Sequence, residues 1–251
     1  MIINKDTKII DGSILQEGVI FLIDKPLHWT SFDVVNKIRF SLKKNFLINK
    51  IKVGHAGTLD PLATGLVVLA AGKMTKKIDS FLLESKEYIA EIKFGKTTQS
   101  FDAETTEEGN YKTEHITEQT IRSILQTNFS GTIQQTPPLF SAKSKDGVRA
   151  YVLARRGENI TLPPQTITIH EIEILNFASP LLTLKINCSK GTYIRSIAND
   201  LGIALESGAY LTKLTRTRSG NFENSKALTI EECLNLIQLS ATNNCNNDII
   251  N

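Results

Sequence analysis

The stretch Val53 to Gly65, VGHAGTLDPLATG, sets one histidine and one acid among three glycines. Glycines in such a loop permit tight turns and close approach of another backbone. Asp60 precedes Pro61, which biases its backbone toward extended geometry and gives the carboxylate a fixed direction. A carboxylate aimed this way is a candidate for proton transfer or nucleophilic attack. Taken alone, an Asp-Pro more often merely caps a turn, and His55 alone reads as a structural histidine. A second segment, Lys190-Gly-Thr-Tyr-Ile-Arg195, stands between a strand pattern and a helix pattern. Arg195 could hold a carboxylate ionised, and Tyr193 could stack on a base or donate a hydrogen bond. Viewed alone, Tyr193 also suits a core position and Arg195 a surface one. Two nucleotide-site readings fail. Gly72-Lys73 has Val67 where a phosphate loop needs its first glycine and Met74 where it needs Ser or Thr, and no GxGxxG follows a strand.

The elements that must position these residues are legible in outline. Gly18 to Ile23 and Leu66 to Ala71 read as buried strands, and Phe32 to Leu42 carries a helical period with Thr30 or Ser31 as its N-cap. Thr75 to Leu83 reads as helix, and Tyr88 to Phe94 as a strand with one exposed face. Residues 96–116 read as a long polar loop, followed by a helix over Glu118 to Phe129. A hairpin is expected over Phe140 to Val148 with Asp146-Gly147 at its turn, then a short helix over Ala150 to Arg156. Strands over Thr166 to Phe177 and Leu181 to Cys188 meet at Ser179-Pro180, a helix runs from Gly191 to about Glu206, and Tyr210 to Thr217 is strand-like. The pattern predicts an α+β fold around a largely antiparallel sheet. No linker separating two domains is evident, and the final ATNNCNNDIIN reads as frayed.

Composition bounds the function classes. The chain has 251 residues, 41% hydrophobic and 22% charged, which suits an ordinary globular core. No apolar run is long enough for a membrane span, and acids interrupt the N-terminal stretch where a secretory signal would need its apolar region. Three cysteines without CxxC spacing point to a reducing compartment, so a cytoplasmic location is expected. Four scattered histidines give no metal-ligand spacing, so no metal is expected. The net charge of +3 is small but segregated. Lys37 to Lys52 holds six basic residues and no acid, and Lys143 to Arg156 and Lys213 to Arg218 are also basic. Such segments can present a basic face to a polyanion, or each can be a solvated surface.

Five stretches in order resemble the bacterial tRNA pseudouridine(55) synthases of the TruB type: GVIFLIDKPLHWTSFD (residues 18–33), VGHAGTLDPLATGLVVLAAGKMTK (53–76), PPLFSAKSKDGVRAYVLARRG (137–157), CSKGTYIRSIANDLG (188–202) and LTKLTRTRSGNF (211–222). The resemblance implies a pseudouridine synthase fold, with a mixed, mainly antiparallel sheet flanked by helices. It implies a catalytic domain over residues 1–230 and a short C-terminal helix with a frayed tail over 231–251, with no C-terminal RNA-binding (PUA) module. It implies that Asp60 is the catalytic aspartate and that His55 fills the space of a flipped-out uridine. Tyr88 would stack on the target base, Tyr193 and Arg195 would complete the site with Arg195 pairing with the aspartate, and Leu214 would line the uracil pocket. Lys25 and Pro26 would support the catalytic loop. The chain departs from the family pattern at Ser100, Thr105, Phe140 and Ser144.

The implied reaction isomerises uridine 55 of the tRNA T-arm stem-loop. A C–N glycosidic bond breaks, uracil turns in the pocket, and a C–C bond forms. No cofactor is required, and the expected partner is tRNA bound by a monomer, without a membrane. The uridine must first leave its stack, at a cost of a few kcal/mol. The carboxylate then acts at the sugar, as a nucleophile or as a base at C2′. Two other readings fit part of the pattern: an RNA-binding protein without catalysis, and an N-ribosidase that releases uracil.

Overall fold

The computed structural model describes residues 1–141, 143–145, 147–158 and 162–248. The chain divides into two compact units, residues 1–86 with 215–251, and residues 87–214. Two strands cross the boundary between them, so the sequence carries no linker to be recognised.

The first unit begins with β1 (Ile2–Ile3), α1 (Ile14–Glu17), β2 (Val19–Lys25), α2 (Ser31–Asn45), β3 (Val53–His55), β4 (Ala63–Ala71) and α3 (Ile78–Leu83). The helical stretch foreseen from Thr75 divides into a 3-10 segment, Gly72–Lys77, and α3. β5 (Lys86–Phe94) carries the chain into the second unit. There follow α4 (Glu118–Asn128), β6 (Gly131–Gln135), β7 (Ser144–Lys145), β8 (Val148–Arg149), α5 (Ala150–Arg155), β9 (Gln165–Ala178), β10 (Leu181–Cys188) and α6 (Ile194–Ala204). β11 (Ala209–Ser219) returns to the first unit, which closes with β12 (Phe222–Glu223) and α7 (Ile230–Asp248).

In the first unit the strands run in the order β1-β2-β4-β11, with β3 on β4 and β12 on β11. β1 and β2 are parallel, whereas β2 and β4 are antiparallel from Val19↔Ala71 to Lys25↔Gly65. Both central strands are continuous apolar runs because both of their faces are covered, and Phe21, Ile23, Leu66 and Leu69 are fully buried. α2 packs against α7. Its start is fixed by a capping box: Thr30 Oγ1 accepts from the Asp33 N–H, and the Asp33 carboxylate accepts from the Thr30 N–H.

In the second unit the order is β11-β5-β10-β9-β6. β9 pairs antiparallel with both β10 and β6. β5 alternates as its pattern implies, with Ala90, Ile92 and Phe94 buried. Residues 96–116 form the expected loop, touched by isolated bridges at Thr97↔Glu108 and Asp102↔Leu211. β7 and β8 make the hairpin; Asp146 of its turn lies outside the described residues. The mixed, mainly antiparallel α+β architecture is the expected one.

Two local expectations are corrected. The helix foreseen from Gly191 starts at Ile194, because Gly191 takes a φ of +80° and Thr192 Oγ1 donates to the Ser189 carbonyl, making a turn first. The stretch read as frayed is helical as far as Asp248. Cys233, Ile237 and Ala241 are buried along α7. Residues 249–251 lie outside the described residues.

Candidate active site

The first unit builds the loop that carries Asp60. β3 and β4 pair from Val53↔Ala71 to His55↔Leu69, and the Ala56 N–H donates to the Val68 carbonyl. The chain then leaves the sheet. The Ala63 N–H donates to the Asp60 carbonyl at 3.0 Å, closing a turn with Pro61 at its second position, where proline's fixed φ is favoured. The backbone of Asp60 thus opens the turn, and its side chain remains half-buried.

The turn is braced on both sides. Before it, Ser31 Oγ accepts from the Leu59 N–H at 2.8 Å and donates to the Leu59 carbonyl at 3.2 Å. After it, the His28 N–H donates to the Pro61 carbonyl at 2.8 Å. The Lys25 ammonium is wholly buried and donates to the carbonyls of Trp29 (2.7 Å), Pro26 (3.0 Å) and Pro61 (3.5 Å). Burial pulls Lys25 down to about 8; Asp60 pushes against that shift, and Arg216 reinforces it.

Arg216 is 1% exposed and the largest fully buried side chain among the described residues. Its Nε donates to the Leu66 carbonyl at 2.7 Å and its Nη2 to the Gly57 carbonyl at 3.2 Å. It therefore ties β11 to both ends of the Asp60 loop. A side chain at Gly65 would meet the Arg216 carbonyl at 2.4 Å. His55 lies beside this cation. Burial first, then Arg216, lowers its pKa from the ordinary imidazole value, and its Nδ1 is buried without a hydrogen-bond partner.

The second unit holds Tyr88, Tyr193, Arg195 and Leu214. Arg195 is 4% exposed, which settles its place in the interior. Its Nε stands 3.6 Å from Asp102 Oδ2, and its Nη1 donates to the Ser100 carbonyl at 3.3 Å. Asp102 is buried in turn, and its carbonyl accepts from Thr98 Oγ1 and Ser100 Oγ. Gln135 grips Tyr193 as Ser31 grips Leu59: Gln135 Oε1 accepts from the Tyr193 N–H at 2.8 Å, and Gln135 Nε2 donates to its carbonyl at 3.0 Å. Leu214 is buried on β11, and Tyr88 is half-buried on β5.

The eight expected site residues thus fall four to each unit: Lys25, Pro26, His55 and Asp60 in the first, and Tyr88, Tyr193, Arg195 and Leu214 in the second. Sequence reasoning missed the roles of Ser31, Arg216 and Asp102, and Gln135 altogether; Arg216, counted in a basic run expected to face a polyanion, is buried. The first two stand inside motif stretches, at the start of the helix and on the last strand. Gln135 carries no signal of its own. Among the described residues, no group of three or more His, Cys, Asp and Glu is placed to hold a metal ion.

Comparison with known proteins defines the class. Residues 43–194 match the family model described as TruB family pseudouridylate synthase (N-terminal domain), and residues 195–248 match the tRNA pseudouridylate synthase B C-terminal domain. Among solved structures, the Cbf5–Nop10–Gar1 complex is similar at 28% identity and a TM-score of 0.67, over 90% of this chain and 56% of that one. An H/ACA RNP bound to a substrate RNA containing 2′-deoxyuridine gives 26% and 0.64, over 89% and 54%. The chain thus spans about half the length of those solved chains. Curated relatives are matched over nearly their full length. The tRNA pseudouridine synthase B of Parabacteroides distasonis is 51% identical over 215 residues, covering 86% of this chain and 91% of that protein. The protein of the same name from Flavobacterium johnsoniae is 49% identical, covering 85% and 93%. The chain belongs to the TruB family of pseudouridylate synthases.

Proposed function

We propose that this protein is a tRNA pseudouridine synthase that isomerises uridine 55 in the T-arm, with Asp60 as its catalytic residue. The observation that carries the reading is the bracing of the Asp60 turn, by Ser31 on the residue before it and by Lys25 and His28 on the residue after it. Attack on the sugar and removal of the C2′ proton both need an oriented, ionised carboxylate, and a turn held at both ends orients one. Arg195, whose guanidinium is held by Asp102 and the Ser100 carbonyl, is the residue proposed to supply a cation for the reaction.

The target uridine flips out of its loop, and His55, kept neutral by its surroundings, occupies the vacated space. The freed uracil turns against Tyr88 and Leu214, with Tyr193 completing the pocket. An isomerisation consumes no electrons, phosphate or water, so the protein acts without a cofactor. It works as a monomer in the cytoplasm, and residues 1–230 form the catalytic part. Phosphate contacts by the exposed residues of its basic segments, buried Arg216 excepted, supply affinity, and the shape of the stem-loop supplies selectivity.

The test is Asp60→Asn. Chromatographic nucleoside analysis of a tRNA incubated with this variant will show no pseudouridine, while binding of a T-arm stem-loop stays within several-fold. An unchanged yield of product removes Asp60 from its role. Release of free uracil by the unaltered protein would indicate the hydrolase instead.

A further inference from the structure

Along α2, residues Asp33, Lys37, Phe40, Lys44 and Leu47 follow one another at helical spacing on the face turned to solvent. Phe40 is 66% exposed and Leu47, just past the helix end, is 83% exposed. Two grooves meet at Phe40. One, of about 500 Å³, is lined by His28, Trp29, Asp33, Asn36 and Lys37. The other, of about 440 Å³, is lined by Lys43, Lys44 and Leu47. A single exposed apolar side chain needs no explanation. An aromatic ring standing between two grooves amid three lysines is a different arrangement. The lysines make no ion pair among the described residues. The one acid on this face, Asp33, is already engaged by Thr30 through its N–H and its hydroxyl.

We propose that this face of α2 is an RNA-docking surface, on which Phe40 stacks against an unpaired base of the substrate RNA while Lys37, Lys43 and Lys44 contact the flanking phosphates. This rests on the reading of the protein as a tRNA-modifying enzyme. A polyanion with exposed bases matches both halves of the surface, since phosphates meet the ammonium groups and every base has a face that stacks on an aromatic ring. An apolar protein partner would leave the lysines unused. The place is apt as well. The first groove opens at His28 and Trp29, whose backbones help to brace the Asp60 turn through Pro61 and Lys25. RNA reaching Asp60 from that side would run onto Phe40.

The test is equilibrium binding of an unmodified tRNA transcript, read independently of turnover, so that it stands even if no pseudouridine forms. Phe40→Ala is expected to weaken binding about tenfold, the scale of one lost base stack. Phe40→Trp should retain affinity. Phe40→Leu should behave like the alanine variant, because it keeps apolarity and loses the ring. Each of Lys37→Ala, Lys43→Ala and Lys44→Ala should flatten the dependence of log K on log salt by about 0.7 to 0.9. Because these side chains are exposed, the melting temperature should not move. Wild-type affinity in Phe40→Ala overturns the proposal, as does equal affinity of the leucine and tryptophan variants. A change in oligomeric state with RNA affinity intact also overturns it and assigns the face to a second copy of the chain.

Discussion

Ser31 and Leu59 are joined by a reciprocal pair of hydrogen bonds, the Ser31 hydroxyl accepting from the Leu59 amide and donating to the Leu59 carbonyl. A hydroxyl can serve both groups at once, so one side chain at the start of α2 satisfies the whole backbone of the residue before Asp60. Leu59 is 3% exposed, leaving no room for water to take over. Ser31→Ala therefore strands a buried amide and carbonyl, at about 1–3 kcal/mol. Turnover should fall 10- to 100-fold through kcat, with KM altered less, because the carboxylate is displaced while the RNA-binding surfaces remain. Steady-state kinetics on a T-arm stem-loop checks this; an unchanged kcat would free the turn from Ser31.

The pairing of Arg195 with Asp102 makes a second expectation. Removing one partner of a buried ion pair leaves an uncompensated charge, which costs about 3–5 kcal/mol. Asp102→Ala should lower the melting temperature and abolish most turnover, although Asp102 is not among the residues proposed to meet the base. Asp102→Asn keeps the shape and loses the charge. It should recover much of the stability and little of the activity. Equal activity of Asp102→Asn and the unaltered protein would show that the charge on Asp102 is not needed to hold Arg195.

Lys25 gives a pH expectation. Its folded-state pKa, about 8, lies below the ordinary lysine value of 10.5. In that window the unfolded chain binds the extra proton, so the Lys25 contribution to stability rises with pH between about 8 and 10.5. The effect on function has the opposite sign. Below pH 8 the ammonium holds the carbonyls of Trp29, Pro26 and Pro61; above it, the neutral amine holds them less strongly. The rate should therefore decline through an apparent pKa near 8, and Lys25 should titrate there in a nitrogen-detected spectrum. A normal lysine midpoint for that signal would contradict the burial argument.

Gly65 and Gly131 separate crowding from backbone strain. Both have positive φ, +101° and +71°. Alanine at Gly131 meets open space and should cost only the 1–2 kcal/mol of a left-handed backbone. Alanine at Gly65 meets the Arg216 carbonyl at 2.4 Å and should cost clearly more, because β4 and β11 must move apart. Denaturant titrations of the two variants give the comparison; equal losses would mean that the strands yield freely.

His55 is displaced from its ordinary value in the acid direction. The unfolded chain then binds the extra proton as pH falls below about 6.5, so the His55 contribution to stability is lost on acidification. RNA affinity should gain nothing from His55 between pH 7 and 6.5. Carbon-detected titration of the ring should give a midpoint below 6.5; a higher one would show a charged imidazole in the folded protein.

The sequence by itself determined the elements that rest on local pattern. The apolar runs that became β2 and β4, the alternation of β5, the capping of α2 at Thr30 and the turn at Asp60-Pro61 each follow from neighbours a few residues apart. The ordered motifs determined the family in the same way. Tertiary structure alone decided what holds the site together. Ser31 reaches across 28 residues to Leu59, Gln135 across 58 to Tyr193, Arg195 across 95 to Ser100, and Arg216 across 150 to Leu66. Each of these contacts joins a side chain to a backbone group of unrelated sequence, so it leaves no periodicity to read. Helix α7 is a further case: its asparagine-rich end has poor helix propensity on its own, whereas the packing of α7 on α2 is a long-range contact that no local pattern announces.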